Sequence, residues 1–179
     1  MTLAVDDDLW ALVKIRYAGR AMTTVAVRGE LSRLRGHPDH SKARLAKRAF
    51  LDWQWLGDPF VQDGDEERMR IERLREHIAG GKPGHELEHL GEASCIVLAQ
   101  DQGGQLIADD YDARVKALEQ EVTPASVHTL LHLLAASNVI PLEEAHGYVQ
   151  TIRDAKRGPD VTLEELLAGG RAMGRVGMP

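Results

Sequence analysis

Several features are scarce or missing in this sequence, and each absence narrows what the chain can be. A single cysteine, Cys95, occurs in 179 residues, which excludes an internal disulfide and fits a reducing compartment. Its setting in the mostly apolar stretch from Ala93 to Ala99 reads as a small core residue. No run of about 18 apolar residues occurs, so no membrane span is expected. The opening Met1-Thr2-Leu3-Ala4-Val5-Asp6-Asp7-Asp8 offers no basic segment followed by an apolar one, so no signal peptide is expected and a cytoplasmic location is. No internal repeat is visible. An excess of positive charge is missing too. The formal net charge is −6, which at first sight argues against a polyanionic partner.

What is present qualifies that last exclusion. With 43% apolar and 28% charged residues, the composition is that of a globular domain rather than a disordered chain. Charge is unevenly spread. Residues 28–48 carry Arg28, Arg33, Arg35, Lys42, Arg44, Lys47 and Arg48 against only Glu30 and Asp39, whereas Asp58, Asp63, Asp65, Glu66 and Glu67 follow. The basic stretch is an ordinary solvated helix face or a phosphate-contacting surface. Four of the eight aromatics cluster at Phe50, Trp53, Trp55 and Phe60, better suited to a hydrophobic cover or a protein interface than to base stacking.

Apolar spacing predicts an alternation of short strands and helices. Leu3-Ala4-Val5 reads as a buried strand ending in aspartates, followed by a helix from Leu9 towards Gly19. Ala21 to Thr24 is a weak strand, Val25 up to Gly36 a helix, and Ser41 to Trp55 another. After the Gly57-Asp58-Pro59 break, Asp65 is placed as the N-cap of a helix carrying Met69, Ile71, Leu74 and Ile78. Leu90 to Ala99 is an apolar helix, Gln105 to Ala108 the clearest later strand, and Ala113 to Leu118 a short helix. Glu121 to Thr123 reads as a strand, Pro124 as the start of a helix, and Pro141 as the first turn of the next. Strands alternating with helices imply a parallel sheet covered on both faces, with sites at the carboxyl ends of the strands. One domain over residues 1–158 is expected, with residues 159–179 a short helix and a glycine-rich mobile tail.

Acidic residues fall at the predicted strand ends and helix starts: Asp6, Asp7, Asp8, Glu92, Asp109 and Asp110. Carboxylates gathered in a cleft repel one another unless a cation neutralises them, and hard oxygen ligands suit Mg²⁺ or Mn²⁺. Singly, each of these acids is better read as a helix cap or a dipole partner. His85-Glu86-Leu87-Glu88-His89 spells the HExxH zinc-hydrolase pattern. Pro83-Gly84 before it, Gly91 after it and a charge between the two histidines speak for a polar loop instead.

Leu90-Gly91-Glu92-Ala93 through Ala99 resembles the "GEA…alA" helix of PIN-domain proteins. Leu106-Ile107-Ala108-Asp109-Asp110-Tyr111-Asp112-Ala113-Arg114 resembles their strand-plus-"DDxxAR" segment. Thr123-Pro124 with Leu130-Leu131, then Ile140-Pro141-Leu142-Glu143-Glu144-Ala145, is similar to their closing helices. These matches run in order over roughly residues 87–155. Upstream, Val27-Arg28-Gly29-Glu30-Leu31 resembles the helix start that bears a further acid, and the first strand would end at Asp6 or Asp7, with aspartate where the family has a hydroxyl. The resemblance to VapC-like PIN proteins implies a three-layer α/β/α fold with a short, mostly parallel central sheet. It implies hydrolysis of RNA phosphodiesters, with Asp6, Glu30, Glu92 and Asp109, and Asp110 as the rival of Asp109, holding Mg²⁺ or Mn²⁺. Lys14, Arg16 or Arg114 would contact the RNA backbone. An antitoxin protein and a homodimer are the partners such proteins typically have. A PIN-fold binding module with little or no catalysis is the alternative.

Overall fold

The computed structural model describes residues 2–79 and 89–155. Two expectations lie outside them: residues 85–88 of the HExxH pattern, and the short helix and tail of residues 159–179. Among the described residues the chain is mostly helical, with eight α-helices and a two-stranded parallel sheet, a mixed α/β arrangement.

Leu3-Ala4-Val5 is not a strand. Thr2–Val5 forms a 3₁₀ helix that leads into α1, Asp7–Tyr17. Three apolar residues carry no period of their own, and the Asp6 carboxylate just beyond them accepts from the Asp8 and Leu9 amides, turning the chain into a helix at once. Thr24 caps α2, Val25–Leu34, and forms only an isolated parallel bridge with Phe60 where the weak strand was expected. Asp39 caps α3, His40–Leu51. The helix predicted to reach Trp55 stops at Leu51, and a 3₁₀ turn covers Trp53–Leu56. In α4, Asp65–Ile78, Asp65 is the first helical residue and Gly64 the N-cap. Then follow α5, Leu90–Gln102, β1, Gln105–Ile107, α6, Tyr111–Glu119, and β2, Thr123–Ala125. Pro124 sits in β2 rather than opening a helix, and Ser126 caps α7, Val127–Ala136. A two-stranded sheet has only edge strands, where a residue without an amide is tolerated. Pro141 is the N-cap of α8, Leu142–Asp154.

β1 and β2 pair in parallel with Leu106 opposite Pro124, and α6 connects them. Three apolar clusters support this frame. One joins α1, α7 and α8 through Leu9, Val13, Leu131 and Ile152. A second packs α4 on α5, with β1 Leu106 and α6 Ala117. A third holds α2 and α3 against Ala4, Trp10 and Trp53. No helix of the described residues is long and apolar enough to cross a membrane.

Candidate metal and phosphate site

Beyond the carboxyl end of β1 lies a cleft of about 360 Å³. Glu30 of α2, Glu92 in the first turn of α5, and Asp109 and Asp110 between β1 and α6 all line it. Its remaining wall is largely apolar, including Val27, Leu31, Ile107 and Val127. Four of the five acids that the resemblance names as metal ligands therefore line one space, at the strand end where open α/β sheets place their sites.

Each carboxylate is held differently. Glu30 reaches from α2 to α5, its Oε1 accepting from the Gly91 amide at 2.8 Å. Burial pushes its pKa up; the Gly91 bond and the Arg33 charge oppose that shift, while the Glu92 charge adds to it. Asp110 caps α6, accepting from the Ala113 amide at 2.7 Å. Asp109 bridges to α7, its Oδ1 accepting from the Val127 amide at 3.0 Å. Helix starts thus converge on the cleft, and their positive dipole ends favour anions there. Capping is real for both aspartates, and it also aims them: each is fixed to a helix start by one oxygen.

Gly91 and Ala93 give the Gly-Glu-Ala motif a physical basis. A side chain at Gly91 would collide with the Glu30 carboxylate, and Ala93 is fully enclosed in the core. Ala113 is likewise enclosed, and Arg114 donates to the carbonyls of Ala108 and Asp109. Arg114 therefore braces the loop that carries the aspartates.

The expected fourth corner is elsewhere. Asp6 caps α1 and lines a separate cavity with Asp7, Asp8, Arg44 and Arg48. Lys14 is engaged by Asp52 at 2.5 Å and is not presented to a ligand; Arg16 is exposed on α1. His89 sits before α5 with φ 59°, in left-handed backbone that ends any helix there. Cys95 is half-buried on α5 and faces a different cavity, and burial pushes its thiol pKa up to about 12.

One residue of the neighbourhood escaped the sequence reading. His128 of α7 is fully enclosed, neither ring nitrogen has a hydrogen-bond partner, and the nearby Asp109 charge acts on it. Burial nevertheless holds its pKa below the usual histidine value. Its signal was a polar residue in the apolar run Val127 to Leu134, which a reading focused on acids passes over.

The donor chemistry suits a hard divalent cation: four carboxylates, with Glu30 and Glu92 repelling each other. Among the described residues no three such groups lie close enough to hold one ion together. Mg²⁺ commonly takes one or two carboxylates and fills its sphere with water and substrate phosphate, so a pair such as Glu30 and Glu92 meets its requirement. Comparison with protein-family models, with curated proteins and with solved structures finds no match to this chain.

Proposed function

We propose that this chain is a divergent PIN-like ribonuclease that hydrolyses RNA phosphodiesters with Mg²⁺ or Mn²⁺ in the cleft of Glu30, Glu92, Asp109 and Asp110. The observation that carries this reading is that those four acids line one cleft beyond a parallel strand. The three-layer PIN architecture belongs to the same proposal and is supported by the parallel β1–α6–β2 unit.

Glu30 and Glu92 would hold the ion, and Asp109 would reach it directly or through water. The ion would supply charge neutralisation at the scissile phosphate and activation of water. The chain's own residues set the geometry. Gly91 positions Glu30 through its amide, and Val127 and Ala113 fix the two aspartates. The positive ends of α6 and α7 offset the phosphate charge. A role as the toxin of a toxin–antitoxin pair, with an antitoxin partner and homodimerisation, extends the proposal.

Glu92→Gln and Asp109→Asn each change charge with little change in shape, so both should fold. Each should lose metal-dependent cleavage of single-stranded RNA by at least about 10- to 100-fold. Cleavage at the wild-type rate by both variants would sink the reading. The second reading, a binding module without catalysis, draws on the placement of Asp6 away from the cleft. Titration calorimetry with Mn²⁺ separates the two, since only the nuclease requires saturable binding that Glu92→Gln removes.

A further inference from the structure

The α2–α3 hairpin carries the basic stretch, and its cations are arranged around an aromatic ring. Arg35 lies over the Phe50 ring at 4.5 Å from its centroid, and Arg28 lies at 5.6 Å. Arg28 on α2 and Arg35 at its C-cap are two helical turns apart on one face, and Lys47 is one turn from Phe50 on α3. Arg28, Arg35 and Lys47 are exposed and form no ion pair with a carboxylate among the described residues. An ordinary solvated helix in an acidic protein finds counter-charges, as α4 does with Glu72–Arg75 and Asp101–Arg70. This hairpin holds seven cations against two acids within residues 28–48, of which Arg48 is paired with Asp7, while the whole chain is at −6.

We propose that the Arg28–Phe50–Arg35 face, with Lys47, is the binding surface for a single-stranded nucleic acid backbone, from which the strand passes over α2 into the Glu30 cleft. The cleft as its destination rests on the ribonuclease reading above; the surface itself does not. Glu30 is on the other flank of the same helix, where it lines the cleft, and the Arg33 charge acts on it. A strand crossing one helix therefore meets cations along its path before it reaches the acids. Exposed cations attract phosphates over a Debye length, and guanidinium planes beside an aromatic ring offer stacking to unpaired bases of any sequence. An acidic protein segment would gain the charge attraction without the stacking. The observations therefore favour single-stranded RNA over an acidic peptide.

The test is fluorescence anisotropy of a 5′-labelled, mixed-sequence 12-nucleotide RNA with the full chain in EDTA, from about 50 to 200 mM KCl. The triple variant Arg28→Glu/Arg35→Glu/Lys47→Glu should bind at least 10-fold more weakly. The slope of log affinity against log salt should fall by about 2, since each single-strand phosphate contact contributes about 0.7. Arg28→Gln/Arg35→Gln, with smaller perturbation, should show an intermediate loss, and Arg68→Glu on α4 should stay within twofold of wild type. Circular dichroism melting confirms that each variant folds. Equal RNA affinity in wild type and the folded triple variant overturns the proposal. So does a wild type that ignores RNA but binds poly-glutamate, which would make the face a dock for an acidic protein. Because binding is read without divalent metal, a failure of Mn²⁺-dependent cleavage alongside hairpin-dependent binding would remove only the ribonuclease reading.

Discussion

A β-carbon on Gly91 would fall 2.4 Å from one Glu30 carboxylate oxygen and 3.0 Å from the other. The obstructing atoms are the far end of a flexible side chain, so the backbone need not move. Gly91→Ala should therefore fold, aided by about 1 kcal/mol of helix propensity, yet push Glu30 off the Gly91 amide. Metal-dependent cleavage should fall by about 10- to 100-fold, the usual cost of a misplaced supporting contact at a metal site. The melting temperature should hold or rise. Full activity in a folded Gly91→Ala protein would show that the Glu30–Gly91 bond does not set the site. At this scale the sequence was informative about which acids line the cleft, because Glu92 and Asp109 sit in contiguous motifs. It was misleading for Asp6, whose position after an apolar triplet looks the same whether the triplet is a strand or the entry to a helix.

Helices were legible as elements because 10–14 residues give several turns of apolar spacing, as in α4 with Ile71, Leu74 and Ile78 buried. Three-residue strands give no period, so β1 was found from its boundaries and the shift of β2 onto Pro124 was not foreseen. Neither were the contacts between elements. Asp52, at the end of α3, accepts from Lys14 Nζ at 2.5 and 2.7 Å and from Trp10 Nε1 at 2.6 Å, tying α3 to α1. Burial alone would raise the Asp52 pKa, but these two donors outweigh it and hold it below the ordinary aspartate value. A lowered acid pKa contributes stability that is present above the unfolded value, about 3.9, and is lost as pH falls through the folded one. Asp52→Asn should lower the melting temperature by roughly 1–3 °C at pH 7, as an exposed ion pair worth about 0.2–1 kcal/mol implies. That difference should shrink steadily below about pH 4. A gap that is constant from pH 7 to pH 3 would mean that packing, not charge, links the two helices.

For the whole molecule, charge is segregated: cations on the α2–α3 hairpin, carboxylates in the adjoining cleft. The sequence showed the segregation but not its arrangement, since Glu30 and Asp109 meet only through the packing of α2 against α5 and the turn after β1. Raising a carboxyl pKa on folding means that the native state binds the proton more tightly than the unfolded chain does. Burial, reinforced by Glu92, does this to Glu30, so its contribution to stability falls as pH rises from the unfolded value, about 4.3, through the folded one. Above that window the metal-free protein carries a standing repulsion that a divalent cation would relieve. Saturating Mn²⁺ at about 100 times its dissociation constant should add about 2.7 kcal/mol, or roughly 5–10 °C in melting temperature at pH 7.5. EDTA should reverse the gain. Below about pH 4.3, with Glu30 protonated, Mn²⁺ should do little. Glu30→Gln should melt slightly higher than wild type without metal at pH 7.5 and respond only weakly to Mn²⁺. A wild type whose melting is indifferent to Mn²⁺ at pH 7.5, or a Glu30→Gln variant that responds as fully as wild type, would mean that the clustered carboxylates do not form a cation site.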